Sequence, residues 1–296
     1  MAGWIDHWRA ATVAIGHRQE YRVQSPGGRT STKPFFAIDG TGVLFSLYGT
    51  RAQTTWLVTA KHVLYDPAEN WAPSSLGMMF SQSPHGNGRQ ALEIPLQLTK
   101  GTRRLWYPHP DESVDLACLP VPLTLRPSKT GALTSIAWMD IATKSDLYEG
   151  VPVVVLGYPT AFDLPDSPRA IVRQGIVSWV SPSRPGSEVF LIDSHVFPGN
   201  SGGPVFRLPA VMNRQGHLAT AGTVALLGIV TQARIQILPL MAGGKQVELH
   251  LEDRKASEPL LALSYIGLGM VEPAYRIKQL LVAASSAHAR RKRSAP

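Results

Sequence analysis

Pro198-Gly199-Asn200-Ser201-Gly202-Gly203-Pro204-Val205 is the stretch on which the reading of the fold turns. A serine set among glycines lets the backbone bend sharply, and it lets an incoming carbonyl approach main-chain N–H groups with no Cβ in the way. Such a setting suits an exposed nucleophile. A serine hydroxyl is too weak an acid to attack at neutral pH unaided, so a base must take its proton and a third group must hold that base. Upstream, Trp56-Leu57-Val58-Thr59-Ala60-Lys61-His62-Val63-Leu64 places His62 just past an apolar run. Val114-Asp115-Leu116-Ala117-Cys118-Leu119 sets Asp115 among apolar neighbours, where a carboxylate is costly unless it is hydrogen-bonded. Singly, these are a structural histidine at a strand end and a capping or turn aspartate. Together they point to nucleophilic catalysis, with Ser201 attacking, His62 as base and Asp115 orienting it.

The chain around these strings is punctuated by 26 glycines and 24 prolines, more than the usual combined share of about 12%. They separate short runs rich in β-branched and apolar residues. Strands are expected over 12–15, 42–47, 55–59, 92–98, 115–119, 151–156, 171–180, 189–192, 204–206, 224–231 and 262–268. One longer helix follows Pro273, where Ile277, Leu280, Leu281 and Ala284 fall at helical spacing and form a docking stripe. The fold class is therefore all-β with a C-terminal α-helix. Its expected division is an N-terminal β domain over 1–120 carrying His62 and Asp115, and a connector over 121–150. A second β domain over 151–270 carries Ser201, and 271–296 hold the helix and a basic tail. Trp4, Ile5 and Trp8 are expected to pack an N-terminal segment onto the body.

Several function classes are set aside. A length of 296 residues with 44% hydrophobic and 17% charged residues describes a chain that buries a core, for about two domains of roughly 150 residues. Cys118 is the single cysteine, so no internal disulfide forms and a reducing compartment fits. No apolar run reaches the roughly 18 residues of a membrane helix, and Met1-Ala-Gly-Trp-Ile-Asp-His-Trp lacks the layout of a secretory signal. The expectation is a cytoplasmic protein with no membrane partner. Of the net +8 charge, six units come from Arg276, Lys278, Arg290, Arg291, Lys292 and Arg293, which leaves the body nearly neutral and argues against a nucleic-acid partner. No two of the nine histidines lie three to five residues apart, and no phosphate or dinucleotide fingerprint occurs, so neither metal nor cofactor is expected.

The order His62, Asp115, Ser201, with gaps of 53 and 86 residues, and the strings Val-Thr-Ala-Lys-His-Val, Asp-Leu-Ala and Gly-Asn-Ser-Gly-Gly-Pro resemble the chymotrypsin-like serine peptidases. Within them the closest likeness is to the bacterial, HtrA-type protease domain. Gly157-Tyr158-Pro159, Arg173-Gln174-Gly175-Ile176-Val177-Ser178 and Leu227-Gly228-Ile229-Val230-Thr231 resemble the family's landmarks in its second barrel. The resemblance implies two six-stranded antiparallel β-barrels with the site in the cleft between them. It implies an oxyanion hole from the N–H groups of Gly199 and Ser201, and a strand at Val230, Thr231, Gln232 and Ala233 that pairs with an extended peptide or protein substrate. His195 falls where trypsin-type members carry an acid at the base of the first specificity pocket. It either admits acidic or polar side chains or, as a neutral ring, lines a pocket for apolar or small ones.

Asn200 stands where secreted members carry the aspartate that pairs with a trimmed N-terminus, so no zymogen switch is expected. No room is seen for a PDZ module after the helix. Restraint is then left to narrow specificity, an activating partner protein or a movable loop. The Gly-x-Ser-x-Gly pattern also matches the α/β-hydrolase elbow, but Gly202-Gly203-Pro204 opposes the helix that elbow requires, and the triad order differs. A rival of another class is a catalytically silent two-barrel module that binds peptides.

Overall fold

Strands whose side chains alternate between two apolar environments build the molecule. The computed structural model describes residues 4–24, 30–47, 54–81, 91–121, 133–160, 169–181, 189–208, 224–239, 241–242, 245–246, 248–250, 257–259 and 261–293. A short helix α1 (Trp4–Ala10) leads into a first sheet made of β1 (Thr12–Gln24), β2 (Thr30–Ser46), β3 (Thr55–Ala60), β4 (Ser75–Ser81) and β5 (Ala91–Gln97). One turn of helix, α2 (Lys61–Leu64), follows β3. The small hairpin of β6 (Thr99–Lys100) and β7 (Arg103–Arg104) precedes β8 (Tyr107–Pro108) and β9 (Leu116–Val121). The strand order is β5-β4-β1-β2-β3-β9-β8, and β10 (Ile136–Ala137) lies parallel to β2.

The second sheet comprises β11 (Pro152–Gly157), β12 (Ile171–Val180), β13 (Phe190–Asp193), β14 (Pro204–Arg207), β15 (Ala225–Pro239) and β20 (Leu261–Pro273). It closes on itself in the order β11-β12-β13-β20-β15-β14. Two minor pairs lie between β15 and β20: β16 (Met241–Ala242) with β17 (Lys245–Gln246), and β18 (Glu248–His250) with β19 (Ser257–Pro259). The chain ends in α3 (Ala274–Arg293). The two-barrel β architecture with a C-terminal helix is thus present. The first unit differs in detail from a closed six-stranded barrel: among the described strands it is a curled sheet whose ends, β5 and β8, are not joined.

Side-chain alternation divides the interior into three cores. Ile15, Leu44, Leu57, Met78 and Leu96 fill the first sheet, and Val153, Val155, Phe190, Val205 and Val271 fill the closed barrel. The opposite faces of the same strands, among them Phe45, Trp56, Val154, Leu156, Phe206 and Leu226, make a shared core. Two helices cover it. From α3 it receives Ile277, Leu280, Leu281 and Ala284, all buried as their spacing predicts. From α1 it receives Trp8, stacked on Phe206 at 4.8 Å between ring centroids. Burying both faces of a strand against packed partners fixes its register, since a one-residue slip would exchange the two cores.

Some elements differ from expectation. The first two strands run on as a long hairpin in which Gln19 pairs with Phe35 and Gln24 with Thr30; its outer half is exposed, so no alternating apolar signal marks it. Likewise β15 continues past Thr231 to pair with β20 as far as Pro239 against Leu261. Helix α3 begins one residue after Pro273, which remains paired with Gly228 in the sheet. No helix among the described residues is long and apolar enough to cross a membrane.

Candidate active site

The fully buried strand β3 ends at Ala60, and the chain turns at once into α2. There Val63 and Leu64 are buried anchors, while the His62 side chain keeps 33% of its surface exposed. Because β9 pairs with β3 up to Ala60 against Leu116, the residue before β9, Asp115, arrives opposite Lys61 and His62. Lys61 N donates to Asp115 O at 3.2 Å. The carboxylate then takes His62 twice: the main-chain N–H on Oδ1 at 3.0 Å and ring Nδ1 on Oδ2 at 2.7 Å. An ionised carboxylate only accepts, so Nδ1 carries the proton and Nε2 is left as the acceptor. The geometry specifies the tautomer that a general base needs.

Ser201 lies in a loop built by close backbone approaches. Gly199 and Gly202 both have φ of +88°. A Cβ at Gly199 would come within 2.3 Å of Tyr158 O, and one at Gly202 within 1.8 Å of Thr41 O; only glycine fits either place. Thr160 N donates to Pro198 O at 2.9 Å. In a trans peptide the carbonyl and the following N–H point in opposite directions, so this bond turns Gly199 N–H away from Thr160. Thr41 clamps the loop from the first sheet. Its N–H donates to Ser201 O at 2.7 Å, and its hydroxyl donates to Gly199 O at 2.7 Å while accepting from Tyr158 N at 3.0 Å.

The neighbouring donors are spent within the loop or on β15: Asn200 N on Phe197 O, Gly202 N on Val230 O and Gly203 N on Asn200 O. Over 199–203, only Gly199 and Ser201 have N–H groups with no main-chain acceptor among the described residues. The Ser201 hydroxyl donates to Thr231 O at 3.3 Å. In this state it makes no hydrogen bond to His62 among the described residues.

The other residues expected at the site are placed as follows. The His195 ring is exposed and stacks on Phe197, with centroids 6.4 Å apart. Arg173 donates to the His195 carbonyl and lies over the Phe197 ring at 4.6 Å; partial burial lowers its guanidinium pKa. Val230 and Thr231 are buried, while Gln232 is exposed. The pairing of β14 with β15 reaches no further than Pro204 against Ile229. From Thr231 onward β15 is paired with β20 alone among the described residues, which leaves a strand edge beside Ser201. Sequence reading missed Thr41 and Thr160, ordinary residues in ordinary strings whose roles come from partners far along the chain, and it quoted Tyr158 within a landmark string without its bond to Thr41.

The family model of the trypsin-like peptidase domain matches residues 40–209, more than half of the chain. The chain belongs to this family. A search of curated proteins found no match. As a trypsin-like peptidase domain the protein has its matched region begin at Gly40, beside the Thr41 clamp, and contain His62, Asp115, His195, Gly199 and Ser201. The edge of β15 and all of α3 lie beyond it. The match is to trypsin-like peptidases at large and does not single out the HtrA type.

Proposed function

We propose that this trypsin-like peptidase domain is a serine endopeptidase working through His62, Asp115 and Ser201. The observation that carries the reading is the pairing of two prepared half-sites. His62 has its Nδ1 fixed on Asp115, and Ser201 sits beside two N–H groups without main-chain acceptors, its own and that of Gly199. An extended peptide would add to the edge of β15 at Thr231, Gln232 and Ala233. Ser201 Oγ, rotated toward His62, attacks the scissile carbonyl as Nε2 takes its proton. The oxyanion forms at the Gly199 and Ser201 N–H groups. His62 then protonates the leaving amine to give the acyl-enzyme, and water, deprotonated by His62, releases the acid.

Among the described residues the loop is held by neutral groups. Asn200 is neutral and buried, and Thr160 and Thr41 hold the carbonyls on either side of Gly199 N–H. On this reading the loop needs no proteolytically freed ammonium to take its shape. His195, with Arg173 on its carbonyl, favours an acidic or polar side chain at the cleaved residue. A peptide-library profile restricted to aliphatic residues and unchanged in His195→Ala would overturn that preference.

Exposure of the untrimmed protein and of Ser201→Ala to a fluorophosphonate, followed by intact mass, tests the central reading. One adduct on the wild type alone is the expected result. A folded wild type that takes no adduct would instead leave a peptide-binding module.

A further inference from the structure

A buried carboxylate outside the triad touches it from the opposite barrel. Glu272 lies at the end of β20, opposite Ile229 in the register and so close along the sheet to Thr231, whose carbonyl receives the Ser201 hydroxyl. Its side chain leaves the second barrel for the first. Oε1 accepts the main-chain N–H of Asp115 at 3.4 Å, and Oε2 accepts Arg276 Nη1 at 2.6 Å. The side chains of Glu272 and Arg276 are only 4% and 6% exposed. Burial raises the Glu272 carboxyl above its ordinary range and Arg276 draws it back.

An ion pair this deep is poor value for stability alone, since apolar side chains of the same volume serve at least as well. The carboxylate does what an apolar group could not. Both Asp115 carboxylate oxygens are committed to His62 and its carbonyl to Lys61 N, so the remaining handle on this residue is its N–H, and Glu272 accepts it. Around the pair, His109 and Asp111 interact with Arg276 through their charges, but their hydrogen bonds and those of Lys61 go elsewhere. His109 reaches Gln279 on α3, Asp111 accepts from Ser113, and Lys61 donates to the carbonyls of Glu112 and Val114. We propose that Glu272, held by Arg276, is a positioning residue that braces the His62–Asp115 pair from the second barrel. The inference rests on the peptidase reading for its meaning, and its decisive measurement needs no turnover.

In the Ser201→Ala background, NMR of isotope-labelled histidines detects the Nδ1 proton that His62 shares with Asp115. Glu272→Gln keeps an acceptor for Asp115 N–H and should preserve the proton signal. Glu272→Ala should weaken the proton signal, and Arg276→Lys should restore behaviour near that of the parent. With Ser201 present, Glu272→Ala should lower kcat by about ten- to a hundredfold with KM little changed, the signature of misplacement rather than lost binding. If Glu272→Ala does not fold, Glu272→Met, which keeps the length and removes the acceptor, decides. A folded variant of either kind with the parent's proton signal overturns the proposal. An inactive wild type whose proton signal still weakens in such a variant would count against the peptidase reading and not against the brace.

Discussion

The two sides of the cleft are built by different means. On the first sheet, His62 and Asp115 meet through side chains, and adjacent antiparallel strands bring them together. Across the cleft, Ser201 is placed almost wholly by backbone: two left-handed glycines, a turned peptide at Pro198 and a clamp from Thr41. The His62–Asp115 hydrogen bonds are made within one sheet, and the second barrel reaches that pair only through Glu272 on Asp115 N–H. The Ser201 loop is held by both sheets, and its hydroxyl rests on Thr231. The lesson is that side-chain chemistry can be set by local pairing, whereas an electrophile's cradle of N–H groups demands long-range closure.

Substitutions should separate the two sides, and the largest effect belongs to the atom they share. Ser201→Ala should lower peptide hydrolysis on the order of 10⁶-fold with an unchanged melting temperature; residual turnover at wild-type level would place the nucleophile elsewhere. Breaking only the acid–base side, Asp115→Asn should cost about 10⁴-fold in kcat by presenting the wrong tautomer, measured on an activated ester substrate. Breaking only the cradle, Gly199→Ala should cost about 10²- to 10³-fold while leaving the His62–Asp115 proton signal in place. Loss of that signal would show that the sides are not independent.

Thr41→Val removes the shared clamp and strands the Gly199 carbonyl and the Tyr158 N–H. It should destabilise the fold by about 1–3 kcal/mol, readable in chemical denaturation. The mildest effect concerns the helix that covers both units. His288 on α3 bonds Tyr107 through Nδ1 at 3.1 Å and meets Trp56 edge-on. Its pKa is lowered by burial and by Lys292 and Arg291, and burial likewise lowers that of His109. A folded pKa below the unfolded value of about 6.5 means stability present above that pH and lost as pH falls through the folded value. The melting temperature should therefore drop between neutral and mildly acidic pH, and His288→Gln should flatten the drop.

What was legible in sequence follows the same division. His62, Asp115 and Ser201 announce themselves because each chemistry-bearing residue sits in a dense local string, and the strands behind them show because they are buried on both faces. Thr41 and Gly199, 158 residues apart, are one device in space, yet nothing in Thr-Gly-Val or Gly-Asn-Ser names the other. Glu272 is a lone acid near a helix start, a position that ordinarily reads as a favourable dipole contact. The long hairpin of β1 and β2 went unread because its outer half borders solvent on both sides. His195 shows the limit of analogy: the residue could be assigned a family position, but its exposed ring and its carbonyl held by Arg173 could not be foreseen.

The Thr41 clamp has a consequence for how a cell can make this chain. Synthesis runs from the N-terminus and domains fold as they emerge, so His62 and Asp115 can pair while Ser201 is still untranslated. Even when Ser201 appears, the strand carrying Glu272 is still to come. A centre assembled from residues 41 to 272 can close only after residue 272 has been synthesised. On the proposed reading, hydrolysis by this centre would begin only after that point in synthesis.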